Sequence, residues 1–184
     1  MAACTWLTLA LSALTLLPLF AVDLLPLLDA PQQLHLATVL GDWGENPLWP
    51  QAYVLVPGPV PTSWPYGLLT VLARLWGTEI AVRVAFGLAL AALPWAALVL
   101  LRTVGHNRWL LLGIMPWCLN AEFFAGQLAL CLSLPVFLVL LAAHLRWLRQ
   151  PTWWRVWPVP VLLAVLALTH PVPFVVAVCL LPLL

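Results

Sequence analysis

The residues able to do chemistry are few and unevenly placed. Six carboxylates, seven arginines and four histidines are spread over 184 residues, and there is no lysine. Three of the carboxylates and one histidine fall in a single short stretch, LLDAPQQLHLATVLGDWGEN, as Asp29, His35, Asp42 and Glu45. Asp29 directly follows a long apolar run. A carboxylate in that position can take a proton from an alcohol or help to hold a cation. The same aspartate, two residues before Pro31, also suits a helix N-cap that does no chemistry. Both readings stand on these residues alone.

Composition decides the solvent these groups meet. Hydrophobic residues make up 65% of the chain, charged residues 7%, and mean hydropathy is +1.07. A soluble domain carries about 25% charged residues, because its surface must face water. The chain therefore reads as an integral membrane protein, with the lipid bilayer as its first partner. The net charge of +1 says nothing about nucleic acid, but no basic run long enough to grip a phosphate backbone occurs, so no nucleic-acid partner is expected. Cys4, Cys118, Cys131 and Cys179 form no C-x-x-C pair, which argues against a zinc site or a disulfide framework. G-x-S-x-G, H-E-x-x-H and glycine-rich phosphate loops are absent, as are the repeated halves of a transporter.

Spanning the hydrocarbon takes about 20 apolar residues per helix. The predicted fold is all-α and polytopic, with about five or six transmembrane helices. The spans fall at 5–28, 80–101, 109–125 and 126–145, with 156–184 forming one kinked span or two hinged at Thr169-His170-Pro171. Residues 29–79 form an extracytoplasmic loop, in which 30–40 and the tryptophan-flanked 64–77 are interfacial helices. In the first of these, Leu34, Val39 and Leu40 are expected on the apolar side, with Gln32, Gln33 and His35 accessible. Arg102 and Arg108 cluster in one loop and Arg146, Arg149 and Arg155 in another, whereas 29–65 holds no arginine. The positive-inside rule makes both clusters cytoplasmic. That orientation puts the N-terminus in the cytoplasm of a multi-pass protein of the inner or plasma membrane.

The same topology brings polar groups from separate segments to one face. Asp29, His35, Asp42 and Glu45 meet Asn120 and Glu122 of the turn LNAEFFAG, and Arg83 opens the second span close by. Ionisable groups at membrane depth, as Glu122 is, are functional candidates by default. Bland alternatives remain: His35 as an interfacial histidine, Asp42 and Glu45 as solvated loop acids, and His170 as a partner for a carbonyl freed near Pro171 or Pro173. Trp64, Trp76, Trp109, Trp153, Trp154 and Trp157 read as an aromatic belt near span ends.

The order of these features resembles the N-terminal part of the membrane-embedded GT-C glycosyltransferases, which include protein mannosyltransferases and aminoarabinose transferases. There, an acidic pair after the first span precedes Gly-Asp-Trp, a proline-glycine turn and a helix leading to a span that opens with arginine. The corresponding stretches here are LLDAPQQLHLATVLGDW, VPTSWPYGLLTVLARLWGTEIAVRV and LNAEFFAGQLALCLSLPVF. Ala30 stands where the second acid of the pair is usual. In DAPQQLHLA a glutamine replaces a histidine found in some members, and His35 follows two places later. The resemblance runs through essentially the whole chain and rests on the order and spacing of short motifs.

The resemblance implies transfer of a sugar from a polyprenyl-phosphate donor to an acceptor on the extracytoplasmic face. Asp29 would be the catalytic residue, as general base or in a metal-assisted site. His35, Asp42, Arg83 and Glu122 would be substrate-binding. Any cofactor would be a divalent cation offsetting the donor's phosphate charge, a task arginines can also perform. The superfamily usually has many more spans, and this chain stops within the apolar run CLLPLL, so a piece of a longer chain is expected. The alternative is a non-enzymatic membrane protein or a subunit whose outer loop binds a partner.

Overall fold

The computed structural model describes residues 2–22, 27–55 and 58–184, leaving aside the side chains of residues 2–4, Arg108 and Met115. Among the described residues every regular element is helical. They are α1 (Ala2–Phe20), α2 (Ala30–Gly41), α3 (Trp49–Ala52), α4 (Ser63–Trp76), α5 (Thr78–Val104), α6 (Met115–Cys118) and α7 (Ala121–Ala125). There follow α8 (Leu128–Arg149), α9 (Trp153–Val156), α10 (Pro158–Thr169) and α11 (Pro171–Leu180), with 3-10 turns at Arg108–Ile114 and Leu181–Leu183. Two helices, α5 and α8, are long and apolar enough to cross a membrane.

These two form the spine. Ala81, Val82, Ala85, Phe86, Ala89 and Leu90 of α5 are buried in one cluster with Leu128, Cys131 and Leu132 of α8. The small residues of α5 let its neighbours approach closely. At Gly87 an added Cβ would come 3.3 Å from Leu16 of α1. Gly77 (φ 84°) and Gly105 (φ 80°) bound α5 in backbone conformations that glycine adopts without strain.

The first helix ends earlier than the 5–28 span, at Phe20. Arg83 donates to the carbonyls of Leu19, in its last turn, and of Val22, just beyond it, placing a cation where the helix dipole favours one. This contact joins the end of α1 to the start of α5. Residues 23–26, the remainder of that span before Leu27, lie outside the described residues.

Residues 109–125 are not one regular helix. Pro116 has no amide hydrogen to continue a preceding helix and is tolerated only in a first turn, so a 3-10 turn ends at Ile114 and the four-residue α6 starts at Met115. Asn120 then starts α7 by accepting from the Phe123 amide at 2.8 Å, and Gly126 (φ 82°) ends it. The segment still follows α5. Leu111 packs with Leu11, Ala97 and Leu98 near one end, and Cys118 joins the cluster holding Leu90 and Leu93.

The 156–184 region divides into two helices at His170. Its Nδ1 accepts from the amide of Val172 at 3.3 Å and so caps α11, rather than serving a carbonyl. Helices α10 and α11 pack with α8 around Leu140, Leu166, Ala177 and Leu181.

The amphipathic 30–40 stretch is helical as α2, but its buried stripe is Ala30, Gln33, Ala37 and Val39. That stripe faces protein, against α4 and α5. Gln33, expected to be accessible, is 6% exposed.

Candidate functional site

Asp29 occupies the N-cap position of α2, yet its side chain makes no capping hydrogen bond. The residues around it are tied instead to the turn between α7 and α8. The amide of Leu28 donates to Phe124 at 2.7 Å and that of Asp29 to Ala125 at 3.3 Å. The Asp29 carboxylate accepts from the Gln127 side chain at 3.5 Å, a long contact. One turn into α2, the buried Gln33 donates to the Gly126 carbonyl at 3.3 Å. Asp29 itself is half-buried. A carboxylate held by its backbone, with little of its hydrogen-bonding capacity used, remains available to a hydroxyl or a cation.

Glu122 shares this end of the bundle. It is exposed in the first turn of α7, near the residues that hold Asp29, and close enough to His170 for their charges to interact. The structure thus brings Asp29 to the C-terminal end of α7, the short helix that Glu122 opens.

His35 and Asp42 are elsewhere. His35 lies two residues past Gln33, on the opposite side of α2, where its Nε2 is 2.6 Å from the Tyr53 hydroxyl. Its ring lies 6.0 Å from that of Trp49 and 5.8 Å from that of Tyr53. Asp42 caps the far end of α2, about 20 Å along the helix from Asp29 at 1.5 Å per residue. It lines a polar cavity of about 620 Å³ with Glu45, Thr38, Arg74 and Thr78. Arg74 secures this loop by donating to the carbonyls of Gly41 at 3.2 Å and Trp43 at 3.5 Å.

Among the described residues the ion pair of Arg83 is with Glu79 at 3.0 Å, beside its bonds to the carbonyls of Leu19 and Val22 at the end of α1. Its guanidinium is engaged in joining two helices. Among the described residues no three His, Cys, Asp or Glu side chains gather as a metal site, so the protein groups in view do not form a cation cage.

Gly126 and Gln127 carry no motif of their own. The local signal for them is a glycine directly after a short capped helix and before the next apolar run, in NAEFFAGQ. The aromatic pair Trp49 and Tyr53 is spaced i, i+4 beside the amphipathic stretch, a spacing that puts two rings on one side of a helical turn.

No protein-family model, curated protein or solved structure matches this chain.

Proposed function

We propose that the chain is a multi-pass membrane protein with its N-terminus in the cytoplasm. In this reading the Asp29 end of the bundle faces outward and serves glycosyl transfer from a polyprenyl-phosphate sugar. The observation that carries the reading is the Asp29 carboxylate. It sits at a helix start without capping it, at the end of the bundle remote from the arginines of α8 and α9. A side chain kept only as a cap would accept from an amide of the first turn.

The chemistry assigned to Asp29 is general-base catalysis. Its carboxylate takes the proton of the acceptor hydroxyl while that oxygen forms a bond to the anomeric carbon of the sugar. The bond from that carbon to the phosphate oxygen breaks, and the polyprenyl phosphate departs with its electron pair. The donor's lipid tail stays in hydrocarbon while the acceptor approaches from water, so a boundary position suits this carboxylate. Gln127 and the Gly126 backbone orient it, and Glu122 lies at the same end of the bundle. His35 with Tyr53, and the cavity of Asp42 and Glu45, offer binding positions for a more extended acceptor. Arg83 is assigned to holding α1 and α5 together, not to the phosphate.

The test is transfer of radiolabel from a polyprenyl-phosphate sugar in native membranes. Label should reach an acceptor in membranes that contain the protein and stay on the lipid in membranes from a deletion strain. Equal transfer in both would overturn the enzymatic reading and leave the non-enzymatic one.

A further inference from the structure

The opposite end of the bundle holds a cavity of about 620 Å³ between α5, α8, α9 and α10. Its walls are mixed. Val99, Val139 and Leu162 give an apolar floor, Trp154 borders it, and Arg146 and Arg155 line the same space. Neither side chain forms a hydrogen bond or ion pair among the described residues, where the only ion pair is Arg83 with Glu79. Their neighbour Arg149 differs, since it donates to the Thr103 carbonyl.

Among the described residues no carboxylate pairs with either arginine. No carboxylate occurs between Glu79 and Glu122, nor anywhere after Glu122, although these segments hold Arg102, Arg108, Arg146, Arg149 and Arg155. Two arginines lining one cavity with no carboxylate paired to them favour an anion there, and the apolar floor favours an anion that carries hydrocarbon. Guanidinium binds phosphate through paired N–H donors, and basic pockets between helices on the cytoplasmic side take anionic lipid headgroups.

We propose that this cavity binds an anionic glycerophospholipid of the cytoplasmic leaflet. The phosphodiester sits between Arg146 and Arg155, and the upper part of one acyl chain lies along Val99, Val139 and Leu162. The inference rests on the membrane reading and its orientation but not on glycosyl transfer.

The test uses the full chain, first checked for resistance to carbonate extraction from membranes. The purified protein is then titrated by native mass spectrometry with phosphatidylglycerol or phosphatidylcholine. Retention of phosphatidylglycerol at least about 10-fold stronger, equivalent to about 1.4 kcal/mol, is expected. That preference should fall as salt is raised, and should disappear in Arg146→Gln/Arg155→Gln but survive Arg102→Gln. The salt series needs only the wild-type chain and so decides the matter if the double variant does not fold. Equal retention of both lipids by an extraction-resistant protein overturns the lipid site alone. Extraction by carbonate overturns the membrane reading and the lipid site with it. Competition by soluble glycerol phosphate as strong as by the lipid also overturns the proposal, since the apolar floor would then contribute nothing.

Discussion

Gly126 and Asp29 are in contact so close that a Cβ on the glycine would lie 3.0 Å from the Asp29 Cβ and 3.1 Å from its amide nitrogen. The glycine also holds φ at +82°, a conformation other residues adopt only under strain. Two segments nearly one hundred residues apart, 27–33 and 124–127, are thereby fixed to each other. The position of the Asp29 carboxylate depends on that junction.

Gly126→Ala should therefore cost more than backbone strain alone. The positive φ costs about 1–2 kcal/mol, and the contact with Asp29 adds to it. Gly105→Ala is the control, because Gly105 has φ +80° and nothing within 4 Å of its added Cβ. Thermal denaturation in detergent should show the Gly126 variant melting well below the Gly105 variant. Equal melting points would mean the 124–127 junction yields easily.

Arg83→Gln should destabilise by about 1–3 kcal/mol, since it removes charged donors from two helix-end carbonyls. Glu79→Gln should cost less than about 1 kcal/mol. The glutamate side chain is 67% exposed, so solvent screens its pairing with Arg83. Comparing the two melting curves separates the cap from the ion pair. A larger loss in the Glu79 variant would reverse the assignment.

Gln33 tests the other half of the junction. Its Nε2 donates to Gly126, but its Oε1 is buried without a partner. Gln33→Met removes the bond and the unpartnered oxygen together, and should change stability by less than about 1.5 kcal/mol. Gln33→Glu puts a carboxylate into the same buried position beside Asp29 and should destabilise strongly. Melting curves in detergent check both. Equal behaviour of the two variants would show that water enters this junction.

Much of the architecture was legible in the residues. Long runs rich in Leu and Ala, with glycine before and after α5, mark its helix and that of α8 as long apolar elements, and Thr169-His170-Pro171 marks the break between α10 and α11. Hydropathy averages over a window and cannot show that Pro116 and Asn120 cut 109–125 into pieces. The site was legible only as a set of residues sharing one end. Residues 28–29 meet Phe124 and Ala125, at the far end of α7 from Glu122, through backbone hydrogen bonds that no side-chain pattern encodes. Asp42 looks near Asp29 in the chain, but a continuous helix between them makes that closeness a separation. Gln33 looked accessible because it is polar, whereas its reach to a distant carbonyl buries it.

Orientation can be read directly. In a cysteine-free background, Asp42→Cys should react with a membrane-impermeant maleimide on intact cells, and Gln150→Cys only after permeabilisation. Asp42 is exposed beside α2, and Gln150 caps α8 next to Arg146 and Arg149. The reverse labelling pattern would place the Asp29 end in the cytoplasm and remove the outward-facing site.

The most direct test of the central claim is the transfer rate of Asp29→Asn beside that of Asp42→Asn, in membranes with matched expression and a radiolabelled polyprenyl-phosphate sugar. Asparagine keeps the size of the side chain and its ability to cap a helix, so a structural role for Asp29 tolerates the change. A general base does not, and its loss costs about 10²–10⁴-fold in rate. The account predicts a loss of that size for Asp29→Asn, with the melting temperature unchanged, and a change of a few fold at most for Asp42→Asn. Wild-type transfer by the Asp29→Asn protein would contradict it.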